Sequence, residues 1–324
     1  MNKILTVSIA AYNVQSYLPK TLDPFLRISM PERIEVLIID DGSHDDTYKI
    51  AKSYQKQYPD IFKVIHKENG GWGSTVTTGI MHARGKYFKL LDGDDFYEEE
   101  DLSKFVDCLE NCEIDMIMTP FSRYIDGAGK KESVKNSFFE VSDPTCICID
   151  NIPIYPYCME MYSLAFRTSL LKASRVSITE RCFYTDNEYV VKCSGLCTTA
   201  MVAPFCVYCY RVDRPGQSVS LAGMEKHYPE FEYILKSMLT YILDHIENKH
   251  MRELFYDRFK RLSYYYLESL VRMRTDKRHK EALIRFDEWL KQYHSDIYFS
   301  VRFTSLRILR LTNYVGYRVV KRIK

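Results

Sequence analysis

The chain has 324 residues and a formal charge of +2 at pH 7; 46% of them are hydrophobic and 27% charged, enough for one large domain or two moderate ones. The near-balance of charge excludes the broad basic field that nucleic acid requires, so no nucleic-acid partner is expected. No apolar run approaches the ~20 residues of a membrane span, and the ten cysteines, without clustered histidines, read as buried free thiols in a reducing cytoplasm. Cys206 and Cys209 have C-x-x-C spacing, but on an apparent strand that offset sends them to opposite faces.

Taken in chain order, "MNKILTVSIAAYNV" reads as a strand and not as a signal peptide, because a short apolar run passes straight into polar sequence. Further strands are predicted at "IEVLIIDD", "FKVIHKE", "KYFKLLD" and "DMIMTPFSRY". Between them "DDTYKIAKSYQKQY", "TVTTGIMHA" and "DLSKFVDCLE" have helical periodicity. This βαβ rhythm predicts a mostly parallel sheet covered on both faces, with ligands at the carboxyl ends of its strands. Ser43 followed by Asp46, and Thr185 followed by Glu188, are expected to cap helices. From about Met224 the pattern turns to long helices, so residues 1–222 are expected to form an α/β domain and residues 223–324 a helical region.

The chemistry gathers at the predicted strand ends. Asp92 and Asp94 in "DGD" can present both carboxylates to one side of a turn, as oxygen ligands for a hard divalent cation, Mg²⁺ or Mn²⁺, that also binds phosphates. Alone that signal is weak, since acidic turns are common. Tyr12, closing the first strand, offers a flat ring for a base. The acids of "IIDDGS" can accept an imide N–H, and Gly70, Gly71 and Gly73 open a helix whose N-terminus suits an anion.

In this order, "VSIAAYN", "VLIIDDGSHDDT", "KENGGWGSTVTTGI", "ARGKYFKLLDGDD", "FYTDNEYV" and "YRVDRPGQSVS" make the chain resemble an inverting family-2 glycosyltransferase over roughly its first 220 residues. The resemblance implies a GT-A, Rossmann-like fold and transfer of a sugar from a nucleotide diphosphate donor to an acceptor hydroxyl, in bacterial surface polysaccharide or glycoconjugate synthesis. By position, Asp41 is implied to bind the uracil of a UDP-sugar beside Tyr12, with Gly70 and Gly71 also on the donor. Asp92 is implied near the ribose and donor sugar, Asp94 as metal ligand and Asp186 as general base. The family's usual Glu-Asp is Thr185-Asp186 here; Thr185 is read as the N-cap, with Asp186 in the first helical turn, where the dipole favours its ionised form. Arg211 and Arg214 are read as a mobile flap pairing with the diphosphate. Trp72 and His66 are weighed as donor contacts against core and surface roles, and Tyr264 to Tyr266 are read as helix packing.

The tail from Val301 to Lys324 carries Arg302, Arg307, Arg310, Arg318, Lys321, Arg322 and Lys324 without an acid. On a helical projection Ile308, Leu311, Val315, Val319 and Ile323 fall opposite them, an interfacial pattern that suits a membrane surface bearing a lipid-linked saccharide acceptor. The chain is therefore placed in the cytoplasm, with the option of a peripheral position at the inner face of the cell membrane. Two competing readings are a nucleotidyltransferase, which lacks here the Gly- and Lys-rich loop it needs after the first strand, and an inactive nucleotide-sugar-binding protein.

Overall fold

The computed structural model describes residues 3–154, 158–212, 221–273 and 277–317. The chain divides into two compact units, Met1–Arg214 and Pro215–Lys324. In chain order the first holds β1 (Leu5–Ala11), α1 (Leu18–Leu22), α2 (Pro24–Arg27), β2 (Ile34–Asp40), α3 (Thr47–Gln57), β3 (Phe62–His66), α4 (Trp72–His82), β4 (Tyr87–Asp92), β5 (Phe96–Tyr97) and α5 (Glu99–Glu110). Then follow β6 (Met116–Met118), β7 (Phe121–Ile125), β8 (Lys130–Ser133), β9 (Thr145–Ile147), β10 (Leu164–Arg167), α6 (Thr168–Ala173), α7 (Thr185–Ser194), β11 (Ala200–Val202) and β12 (Tyr208–Val212).

The eight-stranded sheet runs β3-β2-β1-β4-β10-β6-β11-β9. Its first four strands are parallel, as the βαβ rhythm predicts, and every residue of β2 is buried, as a strand covered on both faces requires. β10 breaks the pattern by entering antiparallel between β4 and β6. The single strand expected at "DMIMTPFSRY" is two: the chain leaves the large sheet at Thr119 and Pro120, and β7 joins a second sheet of order β5-β12-β7-β8. Proline cannot donate to a ladder, and Thr119 N–H instead bonds to Ser163 O at 2.9 Å.

Two expected caps are corrected. α3 starts after Ser43, with Thr47 N–H donating to Asp45 Oδ1 at 2.9 Å, while Ser43 Oγ accepts from Asn13 N at 3.0 Å. α7 has Tyr184 at its N-cap, in the left-handed region (φ 65°), so Thr185 is its first residue and caps nothing. Glu188 does not close a capping box; it accepts from Thr179 N and Oγ1 at 2.9 and 3.1 Å and pairs with Lys192 at 2.6 Å. The ten cysteines are free, as expected, but not all are buried: Cys146 and Cys148, on and just after edge strand β9, are exposed, and Cys206 precedes β12 instead of lying on it.

The second unit is helical: α8 (Leu221–His245), α9 (Lys249–Arg272), α10 (Lys277–Tyr293), α11 (Ser295–Ser300) and α12 (Thr304–Leu311). Asn248 caps α9, its Oδ1 accepting from Met251 N at 2.8 Å. Of the tyrosine run only Tyr266 is buried, whereas Tyr264 and Tyr265 are exposed. The tail departs from the projected helix because α12 ends at Leu311 and Asn313 and Tyr314 turn left-handed (φ 48° and 59°). Within α12 Leu306 and Leu309 are the buried residues, with Val301, Tyr314 and Tyr317 buried on either side; Leu311 and Val315 are 85% and 81% exposed, and Arg310 pairs with buried Asp287 at 2.5 Å, its guanidinium against the Tyr298 ring. Arg318, Val319, Lys321, Arg322, Ile323 and Lys324 lie outside the described residues. No helix among the described residues is long and apolar enough to cross a membrane.

Candidate active site

The carboxyl ends of β1, β2 and β4 bring three predicted groups onto one edge. After β1, the backbone crosses to the loop after β2 through paired bonds: His44 N to Asn13 Oδ1 at 2.9 Å, Asp46 N to Gln15 Oε1 at 2.8 Å and Val14 N to Thr47 Oγ1 at 2.8 Å. Tyr12 is left 45% exposed, edge-on to His44.

Asp41, one residue past β2, is buried, and its partners are local. Gly70 N–H reaches Oδ1 at 2.9 Å, Gly71 N–H reaches Oδ2 at 2.7 Å and Lys67 Nζ lies 2.8 Å from Oδ1. The glycine amides expected to face an anionic ligand are thus turned onto Asp41. Gly71 sits at the N-cap of α4 with φ 79°, a conformation that disfavours any side chain. Asp41 Oδ1 is taken by both Gly70 and Lys67, whereas Oδ2 accepts from Gly71 and keeps a second lone pair for an external donor such as an imide.

Asp92, Asp94 and Asp95 close β4 with a ligand atom of each within 4.8 Å of the others, the one such acidic group among the described residues. The turn is pinned from five sides. Gly93 N–H donates to Ala10 O (2.9 Å), Thr21 Oγ1 donates to Asp95 O (2.7 Å), and Trp72 Nε1 donates to Asp92 Oδ1 (2.8 Å). Asp95 Oδ2 accepts from Tyr208 (2.6 Å), and its Oδ1 accepts from Arg211 N–H (2.7 Å). Burial, with the charge of Asp92 behind it, pushes the Asp95 carboxyl well above the usual range, and the bonds from Tyr208 and Arg211 oppose that rise. With both Asp95 oxygens so engaged, the outer ligands of a cation would be Asp94 and Asp92. The all-oxygen set fits Mg²⁺ or Mn²⁺.

Arg211 stands where the flap was expected, at the end of β12, but it is buried. Its Nε donates to Asp94 O at 2.7 Å, its Nη1 pairs with Asp126, and its guanidinium packs against the Tyr17, Phe96 and Tyr124 rings. Such a cation holds the acidic turn and has no freedom to swing. Arg214 lies outside the described residues. Asp186, second in α7, is half-buried and accepts from Asn187 Nδ2 at 3.2 Å. His66 is turned to buried Asp40 at 2.5 Å. Sequence reasoning missed the bond from Trp72 to Asp92 and the Tyr208 bond to Asp95; the second joins positions 113 apart, and no local pattern signals it.

The profile described as Glycosyl transferase family 2 matches residues 6–169. An uncharacterized glycosyltransferase, EpsJ of Bacillus subtilis, is 32% identical over 36% of this chain and 33% of its own length. The poly(ribitol-phosphate) beta-glucosyltransferase of Bacillus spizizenii is 24% identical over 86% of this chain and 43% of its own. The chain thus spans less than half the length of either relative. Among solved structures, S. aureus TarS 1–349 in complex with UDP-GlcNAc superposes with a TM-score of 0.73 at 18% identity, covering 98% of this chain and 90% of that one. A mannosyltransferase from Pyrobaculum calidifontis, in complex with GDP-Man and Mn²⁺, gives 0.55 at 14% identity over 99% and 84%. These likenesses share the GT-A fold expected from the sequence.

Proposed function

The chain belongs to glycosyl transferase family 2, and from that footing we propose that it moves a sugar, with inversion, from a UDP-sugar to an acceptor hydroxyl of a surface polysaccharide or related glycoconjugate. One observation carries the reading: the Asp92, Asp94 and Asp95 cluster lies at the same strand-end edge as Asp41 and its glycine loop. The donor is supported by the UDP and UDP-GlcNAc complexes of TarS, and the acceptor class by the poly(ribitol-phosphate) enzyme.

In this reading Asp41 accepts the base imide and Tyr12 lies along the base. Asp92, oriented by Trp72, stands beside the ribose and donor sugar. Asp94 and Asp92 would hold Mg²⁺ or Mn²⁺, which offsets the charge of the leaving diphosphate when bound. Arg211 keeps the Asp94 backbone in place. Asp186 accepts the acceptor hydroxyl proton as that oxygen forms its bond to C1 and the bond from C1 to the diphosphate oxygen breaks, releasing UDP. The position of Asp186 in the first turn of α7 favours its ionised form.

UDP release from UDP-glucose and UDP-GlcNAc, measured with Mn²⁺ or with chelator and with or without polyol-phosphate acceptor, tests the reading. Asp186→Asn should lower kcat by roughly 10²–10⁴ with UDP affinity kept; parallel loss of both would make Asp186 a donor ligand. A membrane-facing role rests on the exposure of Leu311 and Val315 in the same tail as exposed Arg302 and Arg307, a combination that suits an anionic lipid surface.

A further inference from the structure

Tyr162 and Tyr210 have no part in the site as described above. Their rings stack at 4.5 Å between centroids with 20° between planes, and both residues are half-buried, so the pair lies at the margin of the core and not within it. It is backed from within: Tyr162 lies 4.9 Å from the ring of Tyr208, which bonds to Asp95, and 5.2 Å from Phe121. Fully buried Lys89, on β4 three residues before Asp92, donates to Tyr162 O at 2.8 Å and fixes the segment that carries the ring. Burial raises both phenols, and the charges of Asp92, Asp95 and Asp186 each add to that rise on both rings. Both rings are therefore within the field of the acid cluster and of Asp186 together.

We propose that the stacked rings of Tyr162 and Tyr210 are the sugar-contacting wall of the transfer site, taking the C–H face of a hexopyranose between the acid cluster and Asp186. A flat ring pair offers a pyranose an apolar face of matching shape, while nearby carboxylates accept its hydroxyls; that mixture of aromatic surface and a few polar groups is what small polar ligands select. The inference rests on the sugar-transfer reading, and the hexopyranose is either the donor's or the acceptor's.

The test compares wild type with Tyr210→Ala, Tyr210→Leu and Tyr210→Phe in the full chain. Titration calorimetry with Mn²⁺ measures UDP, UDP-glucose and UDP-GlcNAc. Saturation-transfer NMR measures methyl β-glucopyranoside on protein loaded with UDP and Mn²⁺. UDP affinity should stay within about twofold in every variant, which also reports folding, and Tyr210→Phe should match wild type. A donor sugar on the wall predicts that Tyr210→Ala and Tyr210→Leu lower UDP-sugar affinity about tenfold relative to UDP. An acceptor sugar predicts loss of saturation transfer with UDP-sugar affinity kept. If both measurements are unchanged in Tyr210→Ala and Tyr210→Leu, or Tyr210→Phe is as damaging as Tyr210→Ala, the wall is overturned while UDP binding stands. Wild type that binds no UDP would overturn the sugar-transfer reading beneath it.

Discussion

Lys89→Met isolates a buried charge next to the acidic turn. Lys89 Nζ bonds to Tyr162 O at 2.8 Å and Leu164 O at 3.3 Å, and burial lowers its ammonium from 10.5 to about 7, with Cys206 opposing weakly. At about 1.4 kcal/mol for each pH unit, that displacement corresponds to about 5 kcal/mol. Between those two values the unfolded chain holds the proton and the folded chain does not. Stability therefore includes the whole penalty below pH about 7 and recovers as pH rises toward 10.5. From about pH 7 to about pH 9 the wild-type protein should gain roughly 2–3 kcal/mol that Lys89→Met does not gain. Against this, the variant leaves two carbonyls without their donor, at about 1–3 kcal/mol each, a loss that does not vary with pH. Urea midpoints of both proteins, taken in reductant at about pH 7, 8 and 9, give the difference directly, because other titrating groups are common to the two chains and cancel. Parallel curves would refute the reasoning and mean that Lys89 keeps its proton in the folded chain, its ammonium satisfied by the two carbonyls.

Trp72→Phe removes the donor to Asp92 Oδ1; a bond to a charged group is worth about 1.5–3 kcal/mol, so UDP-sugar affinity by calorimetry should fall about tenfold with the melting temperature nearly kept. Unaltered affinity would show that the indole does not orient Asp92. Gly73→Ala places a Cβ 2.1 Å from Thr179 O, on the segment leading to Asp186, and should lower stability by about 1–3 kcal/mol in thermal melts. An unchanged melting temperature would mean that this segment yields freely. Leu311→Glu with Val315→Glu should reduce sedimentation with phosphatidylglycerol vesicles about tenfold or more; equal sedimentation would return the tail to packing alone.

The sequence by itself determined the alternation of β1 to β4 with α3 and α4, and it marked Asp41, Asp92 and Asp94 as strand-end acids. Both follow from side-chain period and turn chemistry, which are local and survive in one dimension. Helix starts were less legible, since Asp46 and Tyr184 come to the N-cap positions according to how loops cross, Asp45 takes the Thr47 N–H, and Glu188 is drawn away by Thr179. Only the tertiary structure decided that β10 inserts antiparallel beside β4, bringing Tyr162 O to Lys89. It likewise turned Arg211 from an expected phosphate cation into the clamp on Asp94 O, a pairing across 117 positions. Long-range register of this kind is set by which strands become neighbours in the sheets. A buried arginine or tyrosine is then selected by the carbonyl or carboxylate it meets there, and no spacing in the chain records that meeting.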